Sequence, residues 1–106
     1  MVYLLDELPR VVYLAGPVTG RPGLNAAMFG YVEHLAERAG YAVCNPLRVV
    51  PASSSWTAAM VRCVWHLLLC DEVWLLPEWE QSRGARLEYR LARRLGLPVR
   101  MVPVVD

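Results

Sequence analysis

Lysine is absent from this 106-residue chain, and all eleven of its basic residues are arginine. A chain without lysine cannot use Schiff-base or other lysine-dependent catalysis. Neither sign of charge is in marked excess, because the formal net charge is +1. A surface that binds nucleic acid needs a clear basic excess, so the charge balance argues against a nucleic-acid partner.

Cysteine is scarce and long apolar runs are missing. The three cysteines, Cys44, Cys63 and Cys70, are odd in number and lack metal-ligand spacing, so we expect reduced thiols and no metal site. No run approaches the roughly 18 apolar residues of a membrane span. Asp6 and Glu7 are charged where a signal peptide would be apolar. These absences predict a cytoplasmic protein with no membrane partner.

Apolar residues, by contrast, are abundant, at 56% of the chain. A chain of this length builds one core, so residues 1–106 are predicted to form a single domain. The apolar excess indicates that both faces of a sheet are covered, or that a subunit interface exists, or both. Residues 56–69 are apolar nearly all round a predicted helix, with Val61 and Trp65 among them. This pattern favours a homo-oligomer, a dimer through this helix or the next one.

Strands and helices alternate along the chain. Apolar, β-branched runs predict strands, and helical periodicity with capping residues predicts helices. The predicted order is strand 11–15, helix 26–39, strand 41–44, helix 56–69, strand 72–76, helix 83–95 and strand 99–102. Short connections imply parallel pairing with right-handed crossovers. We therefore predict an α/β three-layer sandwich with a four-stranded parallel sheet, flavodoxin-like or Rossmann-like, in the strand order 2-1-3-4.

Three loops leave the carboxyl ends of the predicted strands, at residues 16–25, 45–55 and 77–82. Ligands of parallel α/β sheets bind at this edge. The first loop resembles a phosphate cradle, although an ordinary strand-to-helix turn is the favoured explanation of its spacing when the loop is taken alone. Asn25 is the predicted N-cap of the helix after it, and Ser82 with Gly84 offers a second anion-binding corner. The candidate binding residues of the first loop are Gly16, Pro17, Thr19, Gly20, Arg21 and Asn25.

Glu88 is the strongest candidate for chemistry. It falls on the apolar face of the helix 83–95, together with Ala85 and Ala92. A carboxylate on such a face costs several kcal/mol unless something binds or uses it. A glutamate paired with a neighbouring arginine at the edge of the face is the structural alternative. The third loop leads directly to Glu88, which favours the functional interpretation.

Three segments carry a resemblance to a known superfamily. They are Tyr13 to Gly20, the pair Cys70-Asp71, and the stretch from Pro77 to Tyr89 that contains the spacing Ser-x-Gly-x-x-x-Glu. Together they resemble a small family of uncharacterised proteins that is common in phages and prophages. That family is similar to nucleoside 2-deoxyribosyltransferases and to deoxynucleoside 5′-monophosphate N-glycosidases. The resemblance extends from about Val11 to Val102.

The resemblance implies a glycosyl-transfer reaction without metal or organic cofactor. By position, Glu88 is then the nucleophile that attacks the anomeric carbon of deoxyribose, and the Tyr13 hydroxyl orients it. The loop from Gly16 to Arg21, with Ser82 and Gly84, holds the 5′ end of the sugar. The implied partner is a small nucleoside or nucleotide. Trp79, and equally Trp56, lies where it can stack on a nucleobase or instead pack a loop or a dimer contact.

Two residues depart from the pattern of these relatives. Cys63 stands where they usually have the aspartate that helps to protonate the leaving base, and Pro17 stands where the glycosidases have a serine. A buried thiol is a poor general acid. These departures leave open a nucleotide-binding module without catalysis. The high apolar fraction leaves open a second alternative, an interaction protein whose cleft is vestigial.

Overall fold

Four short strands form one parallel sheet in the computed structural model, which describes residues 8–103. The sheet order is β2-β1-β3-β4, so the predicted α/β fold and the predicted strand order are confirmed. Asp6 and Glu7, on which the signal-peptide argument rested, lie outside the described residues. The strands are β1 (Val11–Ala15), β2 (Ala42–Cys44), β3 (Glu72–Leu75) and β4 (Val99–Met101).

Helices cover both faces of this sheet. The alternation of side chains along β1 explains how, because Tyr13 and Ala15 point to one face and Leu14 points to the other. Tyr13 packs in a cluster with Leu67 and Ala85, whereas Leu14 packs with Phe29. The three long helices are α1 (Ala26–Arg38) on the Leu14 face, and α3 (Trp56–Leu67) and α4 (Arg83–Leu95) on the Tyr13 face.

Capping residues fix most of the helix ends. The Ser55 hydroxyl accepts a hydrogen bond from the Ala58 amide at the start of α3, and the Ser82 hydroxyl accepts one from the Ala85 amide at the start of α4. Gly96 ends α4 with a φ of 73°, a conformation that favours glycine. The start of α4 is therefore a rigid element and not a loose loop end.

All three predicted loops contain short helical segments, and the first of them is a 3-10 turn at Pro22–Asn25 in the loop 16–25. The segment 45–55 begins with the one-turn helix α2 (Pro46–Val49), and a 3-10 turn (Trp79–Gln81) lies within 77–82. The signal for α2 was present, because Asn45 accepts a hydrogen bond from the Leu47 amide and Pro46 follows it at the first helical position. The prediction of a loop over 45–55 was therefore wrong for Pro46–Val49, which form a helical turn.

The amino ends of the strands are held by carboxylates. Asp71 accepts a hydrogen bond from the Val11 amide at 2.7 Å, and the buried Glu72 carboxylate accepts one from the Trp74 indole at 2.8 Å. Arg10 and Arg100 also pair with Glu72. These groups lie at the opposite edge of the sheet from the three loops. Among residues 8–103, no helix has the length and apolarity that crossing a bilayer requires.

Candidate functional site

Glu88 lies inside the molecule, on the face of α4 that packs against the sheet. Glu88 is only 5% exposed, and Ala85 and Ala92, which share its helix face, are almost fully buried. Because Ala85 and Ala92 are small, α4 approaches the sheet closely enough for Glu88 to reach β1. There the Tyr13 hydroxyl donates a hydrogen bond to the Glu88 carboxylate. The sequence also allowed Glu88 to pair with a neighbouring arginine at the edge of the helix face. No ion pair among the described residues includes Glu88.

Burial sets the protonation of this pair. Removal from water raises the pKa of Glu88 to about 8, the Tyr13 hydrogen bond opposes that rise, and the Cys44 thiol adds to it. Burial, and then the negative charge of Glu88, hold the pKa of Tyr13 well above its usual range. Tyr13 therefore keeps its proton and acts as a hydrogen-bond donor throughout the physiological range. Glu88 is largely protonated at neutral pH in the free protein.

A cavity of about 650 Å³ opens beside this pair, at the carboxyl edge of the sheet. The structure brings most of the predicted site residues into its wall. Those lining it are Tyr13, Gly16, Thr19, Gly20, Ser82, Gly84 and Glu88. Gly84 matters here because a Cβ on it would lie 2.9 Å from the Met60 sulfur. The absence of that Cβ lets the beginning of α4 lie against α3.

The loop after β1 leads to the cavity wall, where α1 begins. Gly23, Leu24 and Asn25 all have left-handed backbone conformations, with φ of 57°, 56° and 63°. Asn25 is the N-cap residue by position, but its amide group donates to the Pro17 carbonyl at 2.9 Å and makes no cap. The first turn of α1 therefore has no side-chain cap, and its first residue, Ala26, lies in the cavity wall. The amino end of α1 therefore lies at the cavity wall, and its first amide, that of Ala26, donates to the Gly23 carbonyl.

Four predicted binding residues lie outside the cavity lining: Pro17, Arg21, Asn25 and Trp79. Arg21 donates instead to Glu78 at 3.1 Å and to Gln81 at 2.8 Å, and so ties the first loop to the third. The Trp79 ring packs against Tyr89, with 4.8 Å between ring centroids. Pro17 and Asn25 bind each other. These residues shape the loops, and the structure shows none of them in direct contact with the cavity.

An apolar wall faces the loop side of the cavity, and the sequence reasoning did not place it there. Pro46, Leu47 and Val50, in α2 and just after it, line this wall. Trp56 and Met60 of α3 continue it. The Arg83 guanidinium lies 3.9 Å from the centre of the Trp56 ring, so a cation–π contact holds that ring at the rim. Of the two tryptophans considered for stacking, Trp56 is the one at the cavity.

Cys63 lines the cavity together with Tyr13 and Glu88. Burial raises the pKa of the Cys63 thiol to about 11, so the thiol stays protonated at neutral pH. Within the described part of the chain, Glu88 is the single carboxyl group in the cavity lining. Residues 8–103 contain no group of three or more His, Cys, Asp or Glu side chains placed to hold a metal ion.

Comparisons with known proteins add one finding. A model of a family described as a domain of unknown function (DUF4406) matches residues 10–101. The matched range includes Tyr13, Glu88 and all three loops at the carboxyl edge of the sheet. A search of curated proteins found no match to the chain.

Proposed function

The chain belongs to the DUF4406 family, and we propose that it cleaves or transfers the N-glycosidic bond of a deoxynucleoside or deoxynucleoside 5′-monophosphate. One observation carries the proposal. A buried carboxyl group, Glu88, lies in the wall of a cavity of about 650 Å³ and accepts a hydrogen bond from the Tyr13 hydroxyl. A carboxylate held in a cavity of this kind stabilises an oxocarbenium-like centre or bonds to it, as in retaining sugar hydrolases.

The proposed reaction has two balanced steps. In the first, an oxygen of the ionised Glu88 carboxylate attacks the anomeric carbon, the carbon–nitrogen bond breaks, and its electron pair leaves with the base. Because the pKa of Glu88 is raised to about 8, the ionised form is the minor one at neutral pH, and the rate of base release should rise as pH increases. A covalent ester between Glu88 and the sugar results. In the second, water or another base attacks the same carbon, the carbon–oxygen bond to Glu88 breaks, and the Glu88 carboxylate is released. The proton that the water or incoming base loses passes to the base anion that departed in the first step. The hydrogen bond from Tyr13 supports both steps, because it stabilises the ionised carboxylate and fixes the oxygen that attacks.

The two sides of the cavity suit the two ends of such a substrate. The loop side is lined by the glycines Gly16 and Gly20, by Ala26 at the start of α1, and by the hydroxyl-bearing residues Thr19 and Ser82. These groups suit a sugar and its 5′ substituent. The apolar wall of α2 and Trp56 suits the flat face of a base, which it would hold by stacking and by shape.

A binding module without catalysis is the second candidate, and Cys63 favours it. A protonated thiol lies beside Glu88, and no second carboxyl group lines the cavity within residues 8–103. Departure of the base as an anion is slow without a proton donor, and a thiol is a weak one. In this alternative, the cavity binds a deoxynucleotide and releases it unchanged.

Chromatographic detection of free base tests the proposal. The panel consists of the common deoxynucleosides and their 5′-monophosphates, each incubated with the full chain. We expect base release from at least one substrate, and a loss of at least about 1,000-fold in Glu88→Gln. Glu37→Gln is the matched control, since Glu37 is exposed on α1, which covers the opposite face of the sheet.

Each outcome has a separate meaning. Full base release by Glu88→Gln would exclude the glutamate nucleophile. Absence of release from the whole panel, with calorimetric binding of a deoxynucleotide, would replace the enzyme by the binding module. If neither base release nor deoxynucleotide binding is detected, the remaining alternative is an interaction protein whose cleft is vestigial. Addition of a second base to an active reaction separates a transferase from a hydrolase.

The free cysteines bear on the cellular location of the protein. We propose a cytoplasmic location, and the support is that Cys44, Cys63 and Cys70 are all free thiols in the structure. Free cysteines of this kind are typical of proteins in reducing compartments.

A further inference from the structure

Strong proton donors are scarce in the cavity beside Glu88. Within the described residues, its lining contains one carboxyl group, one thiol and one phenol, which belong to Glu88, Cys63 and Tyr13. Both histidines of the chain, His34 and His66, lie outside this lining. The other lining side chains that carry an O–H group are alcohols, which are weaker acids still: Thr19, Ser54 and Ser82. A departing base therefore has three candidate acids in the described part of the cavity.

None of these three groups is suited to protonate a departing base. Glu88 must be ionised before it attacks the sugar, so it cannot donate a proton in the same step. The Tyr13 hydroxyl already donates to Glu88, and burial and the charge of Glu88 hold the pKa of Tyr13 well above its usual range. Burial also raises the pKa of the Cys63 thiol to about 11. A general acid works best when its pKa lies near the operating pH, so neither side chain supplies efficient acid catalysis.

The part of the apolar wall formed by α2 and the residues just after it offers the base few hydrogen bonds. Pro46 and Pro51 have no backbone N–H. The Leu47 amide donates to the Asn45 side chain at 3.0 Å. The Val50 amide donates to the Pro46 carbonyl at 3.0 Å. Both amides already have partners, so the negative charge that develops as the glycosidic bond breaks is carried mainly by the base itself.

We infer that the base leaves this cavity as an anion, and that the substrates are deoxynucleosides or their 5′-monophosphates whose base is acidic enough to carry the charge. This inference rests on the proposed glycosidic cleavage and adds the class of base. The carbon–nitrogen bond breaks, its electron pair stays on the ring nitrogen, and the anomeric carbon bonds to Glu88. The base gains its proton only in the second step, from the incoming water or base.

Uracil-type bases meet this requirement. Their two carbonyl groups delocalise the negative charge, and an electron-withdrawing halogen at carbon 5 strengthens the acid further. Cytosine has one carbonyl group and is a far weaker acid, so it leaves slowly unless it is protonated. The apolar wall suits a halogen and a methyl group alike, because side chains such as Leu47, Val50 and Met60 line it.

Two size-matched pairs of substrates, assayed as nucleosides and as 5′-monophosphates, test the inference on the wild-type chain. 2′-Deoxyuridine and its 5-fluoro derivative differ by one small atom, and thymidine and 5-bromo-2′-deoxyuridine differ by a methyl group and a bromine of similar volume. At pH 7 we expect kcat/KM to be at least about tenfold higher for the halogenated member of each pair, because its base is the stronger acid. The parameter kcat/KM reports the steps up to departure of the base, so slow hydrolysis of the ester does not mask the effect.

Cys63 provides the matched variants. Cys63→Asp places a carboxyl group at this position in the cavity wall, and Cys63→Asn has nearly the same shape without the acid. We expect the ratio within each pair to fall below about threefold in Cys63→Asp, since a general acid relieves the base of its charge, and to keep its wild-type value in Cys63→Asn. The ratio compares two substrates on one enzyme, so any change in the ionisation of Glu88 cancels.

The outcomes separate this inference from the proposed function. Equal rates within both pairs would overturn the inference and leave glycosidic cleavage intact, because the base would then depart already protonated. An undiminished ratio in a folded Cys63→Asp protein would also count against it, since the thiol would not lie beside the departing base. Release from no substrate, halogenated ones included, would overturn the inference together with the proposed function. If circular dichroism shows that Cys63→Asp does not fold, the wild-type pairs decide the question alone.

Discussion

Replacement of Glu88 by glutamine should stabilise the protein at alkaline pH. In the folded protein the pKa of Glu88 is raised to about 8 from an ordinary value of 4.5, mainly by burial. Between these two values the folded state keeps a proton that the unfolded chain has released. The free energy of unfolding therefore falls as pH rises through this window, and the stabilisation by the protonated form is lost above about pH 8.

The size of the effect follows from the same shift. Each pH unit of the window contributes about 1.4 kcal/mol, so ionisation of Glu88 removes about 5 kcal/mol of stability between pH 4.5 and pH 8. That is a large part of the 5–15 kcal/mol available to a domain of this kind. The glutamine side chain in the Glu88→Gln variant carries no charge at any pH, and its carbonyl oxygen can still accept the hydrogen bond from Tyr13.

Urea denaturation of both proteins at pH 5, 7 and 9 measures this difference. The two proteins share every other titrating group, so subtraction of their unfolding free energies isolates Glu88. We expect the variant to gain on the wild type from pH 5 to about pH 8 and to keep that gain, with little further change, at pH 9. If the two curves ran parallel over that range, Glu88 would not be held away from water, and the case for its chemistry would fail with it.

Three further predictions concern the neighbourhood of the site. Tyr13→Phe removes a hydrogen bond that lowers the pKa of Glu88. The rise in base-release rate with pH should therefore move to higher pH, and the rate at pH 7 should fall tenfold or more. An unchanged pH profile would contradict the role of Tyr13. Gly16→Ala places a Cβ 2.8 Å from the Leu76 Cβ, so urea denaturation should show a free energy of unfolding that is lower by about 1–3 kcal/mol. An unchanged free energy of unfolding would mean that the backbone after β1 shifts to accept the extra atom at no cost. Glu33→Gln breaks the pair with Arg48, which lowers the pKa of Glu33. This variant should melt below the wild type at pH 7, with the gap closing as pH falls through that lowered pKa; an equal gap at acid pH would exclude the ion pair as its cause.

Local patterns in the sequence determined the order of elements and most of their ends. Strand runs, helical periodicity, Ser55 and Gly96 act over a few residues, so their outcome can be predicted without the fold. The alternation of strands and helices then restricted the topology to a parallel sheet, whose order the structure confirms. Glu88 was identifiable for the same reason, because a carboxyl group on an apolar helix face is visible in the sequence alone.

Tertiary packing decided which loop residues face the cavity and which do not. Arg21 and Trp79 carry suitable chemistry, but their side chains contact other residues. Arg21 donates a hydrogen bond to Glu78, which lies 57 positions further along the chain. Trp79 packs against Tyr89, a residue of α4. The apolar cavity wall combines residues of α2 with residues at the start of α3, and local periodicity does not encode that these two segments line one cavity. The protonation of Glu88 also depends on depth of burial and on a tyrosine 75 positions away, and such long-range contacts exist only once the chain has folded.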